Sequence, residues 1–127
     1  MKKLFTAILI FFSANVLAQT NTKDTILKDP TLKIEIRNKI LTDSKDGGPL
    51  DFWTPIKGHE YDGELIQKDP NIIATKREIA VIKWAFVLTK NGIKKKVIIS
   101  IYEELKGRKI REDEIQLIDM GIKKAAG

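Results

Sequence analysis

The chain of 127 residues contains no cysteine, one histidine and few aromatic residues. Without cysteine there can be no disulfide bond, no thiol nucleophile and no thiolate metal site. One histidine excludes every site that needs two imidazole ligands. The sequence also lacks a glycine-rich phosphate loop, a Gly-x-Ser-x-Gly nucleophile motif and a His-Glu-x-x-His zinc motif. These absences favour a non-enzymatic protein, for which we expect no metal and no cofactor.

Long hydrophobic runs are absent after the first 18 residues. Residues 1–18 read MKKLFTAILIFFSANVLA, with two lysines, a short apolar run and a small-residue ending. This layout is typical of a cleaved signal peptide, and its apolar run is too short to span a bilayer. We therefore expect a periplasmic or secreted protein whose mature chain has no transmembrane span. A retained N-terminal anchor helix is the alternative.

The remaining residues divide into a tether and one domain. Residues 19–28 are polar apart from Ile26 and Leu27, and we interpret them as a tether. About 100 further residues are enough to bury one hydrophobic core, so we expect a single domain over residues 29–127.

The positive charge of the chain is carried mainly by lysine. The net charge is +6, and it falls to +4 without the signal segment, which holds two of the 23 basic residues and none of the 17 acidic ones. Only four residues are arginine, the side chain preferred for bidentate contacts with phosphates and bases. The composition predicts no nucleic-acid partner and a weak attraction to anionic surfaces at most.

Helices are predicted at both ends of the domain. Asp29 and Pro30 match an N-cap and a first helical position, and apolar residues follow at intervals of four. A helix over residues 30–44 is favoured, although alternation over 31–37 leaves a strand open. Residues 111–127 form the second predicted helix, because acidic residues at its start and lysines near its end match the helix dipole.

The strongest local pattern covers residues 79–104, where two apolar runs flank Asn91 and Gly92. Asn-Gly is the preferred two-residue loop of a type I′ β-hairpin. In the register set by this loop the facing residues are apolar: Ile82 with Ile101, Trp84 with Ile99, and Phe86 with Val97. The sequence therefore predicts an α+β fold, in which a small antiparallel sheet centred on this hairpin packs against one or two helices. This layout resembles that of cystatin-like folds.

Lysines around the Asn-Gly pair are the candidate anion-binding residues. Lys90, Lys94, Lys95 and Lys96 would lie at or beside the tip of the predicted hairpin. They can attract an anionic head group or polymer, or they can simply keep the turn soluble and discourage edge pairing. We favour the solvated turn, because no arginine or aromatic platform accompanies these lysines.

Residues 59–67 are predicted to form a further strand, followed by a turn at Asp69-Pro70. The only histidine, His59, begins this strand, and carboxylates follow at positions 60, 62 and 64. Such carboxylates can bind Ca²⁺, and a further alternative is a small hydrolase that uses His59 and Glu60. We favour a solvent-facing strand, since alternate positions on one strand do not form a metal cage by themselves.

The segment 46–59 is the main candidate for a protein interface. Its glycines and prolines argue against regular structure, and aromatic residues such as its Phe52 and Trp53 often anchor interfaces. We favour the alternative, in which the aromatic pair folds back onto the core. The candidate binding residues are Phe52, Trp53, His59 and Tyr61. The expected function is binding of another protein as an inhibitor, an immunity protein or an assembly accessory, and the alternative is binding of an anionic envelope component through the surface lysines.

Overall fold

The structure is a computed structural model that describes residues 30–127. The predicted signal peptide and tether lie outside the described residues. The elements are, in chain order, α1 (Pro30–Asp43), a 3₁₀ helix (Thr54–Ile56), β1 (Gly63–Gln67), β2 (Ile72–Thr75), α2 (Lys76–Lys90), α3 (Lys95–Lys106) and α4 (Glu112–Ala126). The predicted α+β class is confirmed, but the sheet lies elsewhere along the chain.

The first and last predicted helices are confirmed. Helix α1 ends at Asp43, and its Ile36 and Ile40 are buried on one face, as their spacing of four predicts. Residues 31–37 are therefore helical. Helix α4 begins with three acidic residues and ends near Lys123 and Lys124, so its charges complement the helix dipole at both ends.

The predicted hairpin over residues 79–104 is wrong, because these residues form most of α2 and α3. Asn91 and Gly92 end a helix instead of turning a hairpin. The Asn91 N–H bonds the carbonyls of Val87 and Leu88, the Asn91 side-chain amide donates to the Val87 carbonyl at 2.8 Å, and Gly92 has a φ of +89°. Glycine suits a helix C-terminus for the reason that it suits a tight turn, namely its tolerance of a positive φ, whereas Asn91 keeps a φ of −93° and contributes its side-chain hydrogen bond.

A capping box starts α2. The Thr75 hydroxyl accepts the Glu78 N–H at 3.1 Å, and Glu78 Oε1 accepts the Thr75 N–H at 2.8 Å. The Thr-x-x-Glu spacing is a sequence signal for a helix start ahead of an apolar run. It lies directly before the residues that alternation assigned to a strand.

The β-hairpin of the structure is formed by β1 and β2. Leu65 pairs with Ile73 and Gln67 with Ile72, with an irregularity in β1 between them. The strand predicted over 59–67 is thus confirmed for its second half, and the predicted turn at Asp69-Pro70 connects the two strands.

Helix α2 is the centre of the core. Apolar residues on several of its sides are buried, because α3 and α4 pack against it. Trp84 of α2 lies 5.7 Å from the Tyr102 ring and 6.2 Å from the Trp53 ring, centroid to centroid. At Gly121 the backbone of α4 comes so close to α2 that a Cβ would lie 2.4 Å from the Ile82 carbonyl oxygen. The absent side chain permits this close approach.

Candidate protein-binding surface

The outer face of the β1–β2 hairpin is apolar and exposed. Leu65 and Ile73 face each other across the two strands and are 44% and 69% exposed. Tyr61, just before β1, is 81% exposed. Single exposed apolar residues are ordinary on a protein surface, but a contiguous set indicates an interaction site. We call the paired Leu65 and Ile73 the outer face, and a part for Tyr61 in binding stays a prediction.

The other side of the hairpin borders a groove. Ile72, which alternates with Ile73 in β2, lines a cavity of about 720 Å³ together with Ile66 and Gln67 of β1. Its floor is completed by Ile79, Ile82, Phe86 and Met120, from α2 and α4. The volume lies within the roughly 300–1,000 Å³ of common ligand sites, and the lining is mostly apolar. We call this cavity the groove.

Lysines stand at the edge of the groove. Lys83 comes from α2, and Lys123 and Lys124 come from the last turns of α4. Over residues 30–127, none of the three has a carboxylate within 4 Å. The groove therefore combines an apolar floor with three lysines that form no ion pair within residues 30–127.

The predicted interface loop packs back onto the core. Leu50 is buried, and Phe52 and Trp53 lie against the core cluster, so the favoured interpretation of the loop is confirmed. Lys106 Nζ lies 4.6 Å above the Trp53 ring, and Trp84 lies on another side of it. A part for Phe52 and Trp53 in partner binding stays a prediction.

The Asp51 carboxylate holds this loop in shape. It accepts the backbone N–H groups of Gly47, Trp53 and Thr54 at 2.8–3.1 Å, together with the Thr54 hydroxyl. Burial acts to raise the pKa of Asp51, but these hydrogen bonds together lower it below its usual value. The carboxylate thus has a structural role.

His59 and the alternating carboxylates do not converge on one point. His59 Nδ1 lies 3.0 Å from Asp62 Oδ2, on an exposed surface. Glu60 accepts the N–H of Gly58, whereas Glu64 pairs with Lys76 at 3.1 Å. No group of three potential metal ligands occurs within the described part of the chain. A role for His59 in binding stays a prediction.

The four lysines predicted to bind anions surround the turn between α2 and α3. Lys95 pairs with Asp119 at 2.8 Å, and Lys90 Nζ lies 5.8 Å from the centre of the Phe86 ring. Lys94 and Lys96 are exposed at the start of α3. The structure therefore gathers these residues at one corner, although at a helix–helix turn and with one charge already paired.

Sequence reasoning missed a buried ionic cluster around Glu114. This fully buried carboxylate accepts two hydrogen bonds from Arg108, at 2.8 and 2.7 Å, and one from the Tyr102 hydroxyl at 2.7 Å. Guanidinium groups of Arg77 and Arg111 lie 3.6 and 3.7 Å away. Three of the four arginines thus surround one carboxylate. The acidic residues at the start of α4 were visible in the sequence, but no local pattern shows that Glu114 is the buried one.

The cluster changes the acidity of its members. The hydrogen bonds from Arg108, helped by those from Tyr102 and the Arg111 N–H, outweigh burial and lower the pKa of Glu114 to about 2. Burial and the neighbouring carboxylate raise the pKa of the Tyr102 phenol above its usual value. Burial, followed by the nearby Arg77, lowers the pKa of Lys106. Arg77, Tyr102 and Glu114 belong to α2, α3 and α4, so this cluster joins the three helices.

Comparisons with family models, with curated proteins and with solved structures find no match to this chain. Within residues 30–127, no helix combines the length and the apolar character needed to cross a membrane.

Proposed function

We propose that the chain is an exported, non-enzymatic protein that binds another protein through its β-hairpin. The observation that carries the proposal is that both faces of this hairpin bear exposed apolar side chains. Leu65 and Ile73 lie on the outer face, and Ile66 and Ile72 border the groove. An inhibitor, an immunity protein or an assembly accessory would use such a surface. Export is proposed from the character of residues 1–18.

The hairpin also suits a protein partner because of its backbone. A two-stranded sheet has two edge strands, and each edge offers N–H and C=O groups that an extended segment of another protein can pair with. Two strands alone are marginally stable in water, so packing by a partner would add to the support that α2 gives to β2. The exposed side chains would then supply the apolar part of the interface.

The proposal is tested by affinity capture with the purified mature chain. Immobilised protein is exposed to envelope extract at low and at high salt, and retained proteins are identified by mass spectrometry. The identified partner is then titrated against Ile73→Ser and against the matched control Ile34→Ser. Ile34 lies on α1 and is 57% exposed, compared with 69% for Ile73, so the two changes remove similar exposed surface.

We expect one protein to be retained at high salt. Its binding should be weakened at least tenfold by Ile73→Ser and unchanged by Ile34→Ser. Retention of anionic polymer or lipid at low salt alone would instead support binding through the lysines, including Lys94 and Lys96, because screening removes such an attraction. Retention of no protein, or equal binding by both variants, contradicts the proposal.

A further inference from the structure

We infer that the groove receives an acidic amphipathic helix of the partner protein. This inference rests on the proposed function and adds the chemistry of the partner segment. It is carried by the spacing of the groove residues, by their charge and by the charge of the rest of the chain.

The groove residues have the spacing of a helix-packing face. On α2 they are Ile79, Ile82, Lys83 and Phe86, which stand at positions i, i+3, i+4 and i+7. On α4 they are Met120, Lys123 and Lys124, at i, i+3 and i+4. Residues at these intervals form the ridges between which the side chains of another helix pack. Two adjacent helices thus present a face suited to a third helix.

The close contact between α2 and α4 shapes this face. Because Gly121 has no side chain, α4 lies against the α2 backbone at Ile82 and Phe86, and a Cβ at Gly121 would come within 2.9 Å of the Phe86 nitrogen. Met120, the neighbour of Gly121, lines the groove and is 37% exposed. The floor is therefore built on a closely packed helix pair, which favours a partner with a regular apolar stripe.

The charge of the groove selects an acidic partner. Lys83, Lys123 and Lys124 come from the two helices, whereas the hairpin wall contributes the uncharged Ile66, Gln67 and Ile72. A helix with leucine-like residues on its inward stripe and carboxylates beside that stripe would satisfy the floor and the lysines together. Complementary charge of this kind also speeds association and selects among partners.

Other occupants fit the charge less well. Residues 1–29 contain four lysines and two aspartates, and residues 19–29 contain two of each, so neither segment is acidic. A second copy carries the same positive net charge, and repulsion between the copies opposes their association. An anionic lipid would match the lysines but not the helical spacing of the floor.

The test uses defined peptides and the protein expressed from residues 1–127 and purified in the form that the cell produces. The first is a labelled 18-residue helix of leucine, alanine and glutamate, with leucines at i, i+3, i+4 and i+7. A second peptide has the same composition in an order that spreads the leucines around the helix. A third replaces glutamate with lysine. Fluorescence anisotropy should show binding of the first peptide at least tenfold tighter than of the other two.

The lysines are tested by a matched pair of triple variants. Lys83→Glu, Lys123→Glu and Lys124→Glu together should weaken binding of the acidic peptide at least tenfold. The control combines Lys45→Glu, Lys57→Glu and Lys109→Glu, which change the net charge equally at exposed positions away from the groove. Binding by the control should stay within threefold of the unchanged protein. If the charge reversals at the end of α4 disturb the helix, the same three groove positions are changed to glutamine.

Equal binding of the ordered and scrambled peptides, or equal losses in the two triple variants, would overturn the inference. So would direct binding to vesicles of anionic phospholipid without any binding of the acidic peptide, or a dimer in sedimentation that is broken by the groove reversal. If Ile73→Ser abolishes binding of the captured partner while the groove reversal has no effect, the inference fails and the proposed function stands. If neither change affects that partner, both fail.

Discussion

Arg108 donates one hydrogen bond to each carboxylate oxygen of Glu114, at 2.8 and 2.7 Å. Such bidentate pairs are among the strongest hydrogen-bonded contacts in proteins. The pair ties the loop after α3 to the first turn of α4, and the Tyr102 hydroxyl extends it to α3 itself at 2.7 Å from the same carboxylate. One side chain thus fixes where the last helix begins.

Replacing Glu114 by glutamine is expected to destabilise the fold. The change removes the charge that Arg108 and the nearby Arg77 face, and leaves the Tyr102 hydroxyl with a neutral partner. Breaking a buried ion pair costs on the order of 3 kcal/mol of unfolding free energy. Urea denaturation measures the loss. The control Glu112→Gln lies in the same turn and is exposed, so its effect should stay within about 0.5 kcal/mol.

The same carboxylate predicts how stability depends on pH. Its pKa is lowered on folding from about 4.5 to about 2, so the folded state holds the ionised form more strongly than the unfolded chain does. The stabilisation is fully present above the unfolded pKa and is lost as the pH falls through the folded one. The free energy of unfolding should therefore fall between about pH 4.5 and pH 2, and less steeply in Glu114→Gln. Parallel pH profiles for the two proteins would contradict this account.

Asp51→Asn is expected to loosen the loop that carries Phe52 and Trp53. The asparagine amide nitrogen cannot accept a hydrogen bond, so at least one of the N–H groups now bonded to Asp51 loses its acceptor. The cost is about 1–3 kcal/mol. Denaturation and iodide quenching of tryptophan fluorescence report the change, because Trp84, the other tryptophan, is fully buried. The exposed Asp46→Asn should leave both readouts unchanged, and equal effects of the two changes would refute the role of Asp51.

Ser44→Ala is expected to lower the free energy of unfolding by about 1–3 kcal/mol, because it leaves a buried hydrogen-bond donor without its acceptor. The Trp84 indole N–H donates to the Ser44 hydroxyl at 2.9 Å, and both residues are buried. Without the hydroxyl this donor is left unsatisfied in the core. Thermal and urea denaturation measure the loss, with Ser100→Ala as a control that removes a hydroxyl from a partly buried site on α3. Similar losses in both variants would argue against a specific role for the indole bond.

Local signals in the sequence predicted the two terminal helices because their starts and charge patterns are local. The local signals failed for residues 79–104. Helix α2 is buried on several sides, so the order of its apolar residues fits the alternation of a strand as well as the period of a helix. Isoleucine and valine then favoured a strand, but such propensities are weak against tertiary packing. The capping box from Thr75 to Glu78 was the contrary signal, and it outweighs the Asn-Gly pair, which both a hairpin and a helix end accept.

The candidate surface was partly visible in the sequence. Tyr61 was a predicted binding residue and is exposed, four residues before Leu65 in the chain, but its part in binding stays a prediction. The groove could not be predicted, because Ile72 and Met120 meet only after α2 and α4 have packed and the hairpin has folded beside them. Uncompensated charge is likewise a property of the folded surface, since Lys95 finds Asp119 whereas Lys83 does not find a carboxylate among the residues described.

Gly121→Ala tests the helix contact on which the groove is built. Helix propensity alone would stabilise the alanine variant by about 1 kcal/mol. The new Cβ would instead lie 2.4 Å from the Ile82 carbonyl oxygen and 2.8 Å from the Ala85 Cβ, so α4 must move away from α2. Overpacking of this kind costs about 1–3 kcal/mol, and we expect net destabilisation in urea denaturation.

The matched control is Gly127→Ala, whose Cβ would be 3.7 Å from its nearest neighbour, an ordinary contact at the end of α4. It should change the unfolding free energy by less than about 0.5 kcal/mol. Because Met120 moves together with Gly121, the Gly121 variant should also weaken binding of the acidic helix peptide, measured under conditions in which the variant is still folded. A stabilised Gly121→Ala protein with unchanged peptide binding would show that the close helix contact neither limits the packing nor shapes the groove.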